Sequence, residues 1–184
     1  MKATTQALVN AVDWRAARTA VGDAIAVPQA IADLFAASTE EAAKSAYWSH
    51  LDNEVVVQGQ LYEAAGLVIA PILTELSADS LSPASRYRAV ELLVEIALGA
   101  PHPSEEESGG QHLREFCIGQ LRRGLWTLYA LLDCGDERVV VGVLHILQAV
   151  EEDRMRLFGL ARVLAVGSDS EAVRARVAEL IGRS

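Results

Sequence analysis

Lysine is almost missing from this chain: among 184 residues only Lys2 and Lys44 occur, and neither follows the glycines of a Walker A phosphate loop. That excludes the commonest nucleotide-hydrolysing motif. Two cysteines, Cys117 and Cys134, are too few for a disulfide framework in a chain of this size. No run approaches the roughly 18 unbroken apolar residues of a membrane span. The richest stretches, from Gly66 to Leu73 and from Val139 to Leu147, have the length of core segments. Asp13 interrupts the place where a signal peptide would need its apolar stretch, so a cytoplasmic protein that neither spans nor binds a membrane is expected. Aromatics are only 5% of residues, while hydrophobic residues reach 51%, much of it the alanine and leucine that favour helix.

Chemistry-bearing constellations are equally scarce. His50, His102, His112 and His145 are scattered, and His112 with Glu115 one turn on makes only half a zinc site, so neither a metal nor a cofactor is expected. There is no Gly-x-Ser-x-Gly elbow, and Gly109-Gly110 has no strand before it to form a dinucleotide fingerprint. Both cysteines stand in apolar helical surroundings, where a thiol is inert. No acid-base or nucleophilic set emerges, and a non-enzymatic protein is expected.

What the chain does have is an uneven charge. The net charge is −9, and all of it arises before Ser108: fifteen acids face six bases from Met1 to Glu107, against ten and ten thereafter. Between Arg18 and Arg86 the only base is Lys44, among Asp23, Asp33, Glu40, Glu41, Asp52, Glu54, Glu63, Glu75 and Asp79. A field of this sign repels nucleic acid and draws a basic partner. It also argues against a helical-repeat DNA glycosylase, whose groove must be basic. Acidity of this kind also serves plain solubility.

Apolar residues recur at helical spacing nearly throughout. Leu61, Ala64, Ala65, Val68 and Ile72 share one stripe; Ala89, Leu92, Leu93, Ile96 and Ala97 share another, opposed by Arg88, Glu91 and Glu95; Val173, Val177, Leu180 and Ile181 form a third. The segments 113–132, 138–150 and 154–166 are apolar over more of their circumference. About nine helices are predicted, with Pro71 expected to kink or divide one of them. The β-branched triplets Val55 to Val57 and Val139 to Val141 lack an evident strand partner; the first reads as a loop or helix start, the second as a buried helix entered through Asp136. Residues 99–110, with Pro101, Pro103 and Glu105-Glu106-Glu107, read as an exposed, mobile loop rich in Pro, Glu and Gly.

A small or acidic turn, then a charged residue, then an Ala, Leu or Val stripe appears four times. The instances begin at Ser38-Thr39, Ser82-Pro83, Asp136-Glu137 and Asp169-Ser170, at irregular intervals. Such self-similarity predicts a single domain over 1–184 of degenerate helical-hairpin repeats. The last instance resembles the second helix of a HEAT repeat. A sharper resemblance covers about the first hundred residues. Asp13-Trp14-Arg15-Ala16-Ala17-Arg18, Val27-Pro28 opening a helix that ends at Phe35, Tyr47-Trp48, and Val57-Gln58-Gly59-Gln60-Leu61-Tyr62-Glu63-Ala64-Ala65 followed by Pro71-Ile72-Leu73 resemble a large family of bacterial HEAT-repeat proteins. The resemblance implies an all-α, HEAT-like α-solenoid of stacked antiparallel helix pairs, with no enzymatic activity. Related helical-repeat proteins serve as partners or immunity proteins of secreted bacterial toxins.

Two functions follow as expectations. One is an immunity protein that neutralises a basic bacterial toxin by covering its active site; the other is a structural adaptor that binds through apolar helix faces. The expected partner-binding residues are Asp52, Glu54, Gln58, Tyr62, Glu63, Glu105, Glu106 and Glu107. If Gln58 and Tyr62 lie one helical turn apart beside Glu63, an amide, a phenol and a carboxylate share a groove. The competing reading makes Gln58-Gly59 a tight turn, Tyr62 a core ring and Glu63 a first-turn charge on the helix dipole. Trp14, Trp48 and Trp126 each sit on an apolar stripe and are expected in the core; an exposed one would be a binding anchor.

Overall fold

In a computed structural model describing residues 1–78 and 80–182, the four recurring turns each start a helix; Asp79 lies outside the described residues. Eleven helices occur among the described residues, two more than the periodicity predicts, because the stretch from 113 to 132 divides and a short helix occupies the supposed loop. In chain order the first part holds α1 (Ala3–Asn10), a hairpin of β1 (Arg18–Thr19) and β2 (Gly22–Asp23), α2 (Val27–Ala36) and α3 (Glu40–His50). Then come β3 (Val56–Val57), β4 (Gln60–Leu61), α4 (Glu63–Leu76), α5 (Pro83–Leu98), β5 (Ala100–Pro101) and α6 (Pro103–Glu107). The remainder is α7 (Leu113–Arg123), α8 (Leu125–Leu131), α9 (Glu137–Val150), α10 (Arg154–Gly167) and α11 (Glu171–Gly182).

The recurring turns work as caps. Thr39 accepts from the Ala42 amide, Ser82 from Ser85, Asp136 from Arg138 and the Ser170 hydroxyl from Val173, so each satisfies an amide that the first helical turn leaves unpaired. The helices they open, α3, α5, α9 and α11, pack side by side in that order. Polar contacts tie their starts together: Arg88 donates to Glu40 at 2.6 Å, Arg138 lies 3.7 Å from Glu40, and the Ser170 hydroxyl donates to Glu137 at 2.6 Å. Behind this row, α1 packs on α4 and α4 on α7, while α2 lies against α3 and α5, and α8, α7 and α10 back α9 and α11. The two layers close on one continuous core that runs from Val9 to Leu180.

Two local expectations change and one holds. The helix expected to kink or divide at Pro71 is not divided: it runs from Glu63 to Leu76, with Pro71 buried inside it. Val139 to Val141 do lie in a buried helix capped by Asp136. Val56 and Val57, by contrast, form a strand: Val56 pairs with Leu61 and Val57 with Gln60, antiparallel, and β4 then pairs in parallel with Ala100 and Pro101. The strand partners are two residues long and not β-branched, which is why composition does not reveal them. Gln58 and Gly59 both have positive φ, 53° and 78°, as a two-residue hairpin turn of this hand requires.

Candidate binding face

Residues 99–110 hold β5 and α6 where an irregular, exposed loop is expected, and the reason is Arg18. Its guanidinium grips Glu105 through Nε at 3.2 Å and Nη2 at 2.8 Å, and Nη1 reaches Glu63 at 3.1 Å, while its backbone amide also donates to Glu63. Glu105 is only 2% exposed as a result. A buried carboxylate is stable only when paired and hydrogen-bonded, and the partner here comes from 87 residues away in sequence. Glu106 and Glu107 remain exposed at the end of α6.

The expected site is therefore divided. Glu63 and Glu105 come together, but around an internal cation that neutralises them, beside a cavity of about 420 Å³ lined also by Leu67, His112 and Phe116. Glu54 is buried, its carboxyl 2.6 Å from the His50 ring nitrogen. Gln58 stands exposed in the hairpin turn and Tyr62 precedes α4, its ring stacked on His102 at 5.0 Å. Gln58 and Tyr62 do not share a helical turn, so the converging amide, phenol and carboxylate do not form, and the turn, packing and first-turn reading of these residues is the one observed.

Glu106 and Glu107 keep an exposed acidic edge on α6, and Asp52, partly exposed, leads to a second acidic surface. On α3 the exposed positions Glu41, Lys44 and Trp48 recur at helical spacing, and Asp52 follows one turn beyond Trp48. Trp48 is 52% exposed, against the expectation of a core residue, and the Lys44 ammonium sits 4.7 Å from its ring. Across the seam, α5 presents Arg88, Glu91 and Glu95. Arg88 is already held by Glu40 and Glu91, both at 2.6 Å. Glu95 has no such cation: burial first, then the charge of Asp52, pushes its carboxyl up to about 7. Tyr47 is 2% exposed, and burial first, then the charges of Glu95, Glu91 and Asp52, raises the pKa of its hydroxyl.

A second patch lies at the other end. Trp126 is 70% exposed, again contrary to expectation, with the Arg156 guanidinium 5.5 Å from its ring. Trp14 alone of the three is buried, its indole N–H donating to the Val9 carbonyl at 2.8 Å. On α10, Met155, Val163 and Val166 are exposed along one face. Burial pushes the Cys117 thiol up to about 12, which keeps it protonated and unreactive. Among the described residues no three His, Cys, Asp or Glu side chains are grouped to hold a metal ion, and no helix is long and apolar enough to cross a membrane.

Family models, curated proteins and solved structures were compared with the chain, and none matches. The function must be argued from the faces themselves. Sequence reasoning missed Tyr47, Trp48 and Glu95 as a group, since they come from two helices. One signal was legible: Trp48 lies four residues from both Lys44 and Asp52, on the polar side of its helix.

Proposed function

We propose that the chain is a non-enzymatic, HEAT-like helical-repeat protein that binds a basic protein partner across the α3–α5 face, as an immunity protein does when it covers a toxin's active site. The observation that carries this is Trp48, a large aromatic half out of its helix, with Asp52 one turn away and the uncompensated Glu95 across the seam. Tryptophan at the centre of an acidic surface is the composition of an interface anchor. The row of α3, α5, α9 and α11, opened by recurring caps, supports the repeat reading. It sets these side chains on rigid helices.

The test is binding kinetics with the product of an adjacent reading frame, co-expressed and purified. Association that slows steeply with salt, and a Trp48→Ala variant weakened at least tenfold, support the reading. Binding that ignores salt and Trp48→Ala removes it. The adaptor reading keeps one observation of its own, the exposed Trp126, Met155, Val163 and Val166. It requires salt-insensitive binding that Trp126→Ala abolishes.

A further inference from the structure

We infer that the chain associates head to tail with a second copy of itself, the exposed face of α10 in one copy receiving the outer face of α2 from the next. On α10, Met155, Val163 and Val166 stand in solvent, Val166 to 91%, and Arg162 shares their side of the helix. The sequence of α10 is apolar round most of its circumference, as suits a helix with neighbours on several sides, yet only Leu157 and Ala161 are buried in it. Charge then selects the occupant. α10 contains three arginines and no acid; Arg156 is held by Glu151, whereas Arg154 reaches only a backbone carbonyl and Arg162 has no ion pair among the described residues.

The outer side of α2 has the opposite charge. Gln29, Asp33 and Ala36 are exposed along it, and Asp33, the one charged residue of the helix, accepts from Gln29 at 2.8 Å but has no ion pair among the described residues. Just before α2, Val21 and Ile25 are exposed with Asp23 between them, so apolar and acidic groups share this end. The two helices belong to opposite ends of the row: α2 packs on α3, the first helix, and α10 on α11, the last. They therefore meet only between copies. Pairing α10 with α10 would bring Arg162 toward its own equivalent, and α2 with α2 would do the same to Asp33; like charges oppose both symmetric arrangements. Pairing α10 with α2 sets opposite charges beside an apolar contact. Such a contact is heterologous, so each added copy leaves one α2 and one α10 face open and association continues with concentration. One helix from each side makes a small interface, and the association is weak. Trp48 and Glu95 lie on neither face, so self-association and capture of a basic partner are independent.

Sedimentation velocity on the full chain, from micromolar to about 1 mM protein, reads the association directly. The weight-average sedimentation coefficient should climb with concentration past that of a dimer, and added salt should suppress the climb. Arg162→Glu and Asp33→Arg, both at exposed positions, should each weaken association about tenfold or more while keeping the parent's circular dichroism. An equimolar mixture of the two variants restores opposite charges at every junction and should associate to within about threefold of the parent. A chain that stays monomeric throughout overturns the inference. So does a dimer that neither reversal weakens, the mark of a symmetric contact, and so does a mixture that fails to recover. Association abolished by Trp48→Ala would overturn it as well, because the α3–α5 face would then carry the contact.

Discussion

Replacing Glu95 by Gln should stabilise the protein above about pH 4.5, with the full gain reached by about pH 7. The carboxyl titrates near 7 in the fold against an ordinary value of 4.5, because burial and Asp52 disfavour its charge. The folded state therefore holds a proton that the unfolded state releases, and stability falls as pH rises from 4.5 to about 7, then stays level. At about 1.36 kcal/mol per pH unit the ceiling is roughly 3 kcal/mol. Glu95 is only half-buried, so about 1–2 kcal/mol is expected. Glutamine keeps the shape and cannot ionise. Urea unfolding followed by circular dichroism should show Glu95→Gln ahead of the parent by that margin at about pH 8, and level with it within about 0.5 kcal/mol near pH 4.5. A gap of equal size at both pH values, or a variant less stable at the higher one, would refute the assignment of buried, uncompensated charge to this position.

Arg18→Ala strands the buried Glu105 carboxylate and should cost about 1–3 kcal/mol, less than a fully buried pair because Arg18 is itself 42% exposed; Arg18→Ala with Glu105→Gln should recover part of it in urea melts. Glu151 behaves oppositely to Glu95: burial pushes its pKa up, but Arg156, Tyr129 and the Asp153 amide outweigh that and hold it at about 2. Its contribution is present above 4.5 and lost as pH falls toward about 2, so Glu151→Gln should flatten the acid side of the stability profile. Deleting the chain from Asp169 onward uncovers the faces of α9 and α10 that α11 covers; aggregation or a lower Tm is expected, and an equally soluble, equally stable product would show that α11 is an appendage.

The helices were legible because their information is local. The cap residues Thr39, Ser82, Asp136 and Ser170, and stripes such as Ala89, Leu92, Leu93 and Ile96, announce themselves within a few positions. What was not legible depends on distant partners. Gln60-Leu61 becomes a strand only because Val56-Val57 and Ala100-Pro101 lie beside it. Glu105 is buried because Arg18 reaches it, so three consecutive glutamates that read as a solvated run are divided between inside and outside. Summed charge likewise counted Glu54, Glu63 and Glu105 as free when each has a neighbour within the fold. Fewer of the acids stand free at the surface than composition suggests.

Hydrogen–deuterium exchange on the purified complex tests the central claim most directly, since it locates the partner without presuming its identity. Amides of α3 and of the second half of α5, around Tyr47, Trp48, Asp52 and Glu95, should slow at least tenfold on binding, with α10 unchanged. Protection confined to α10 and the neighbourhood of Trp126, leaving α3 and α5 as in the free protein, would contradict it.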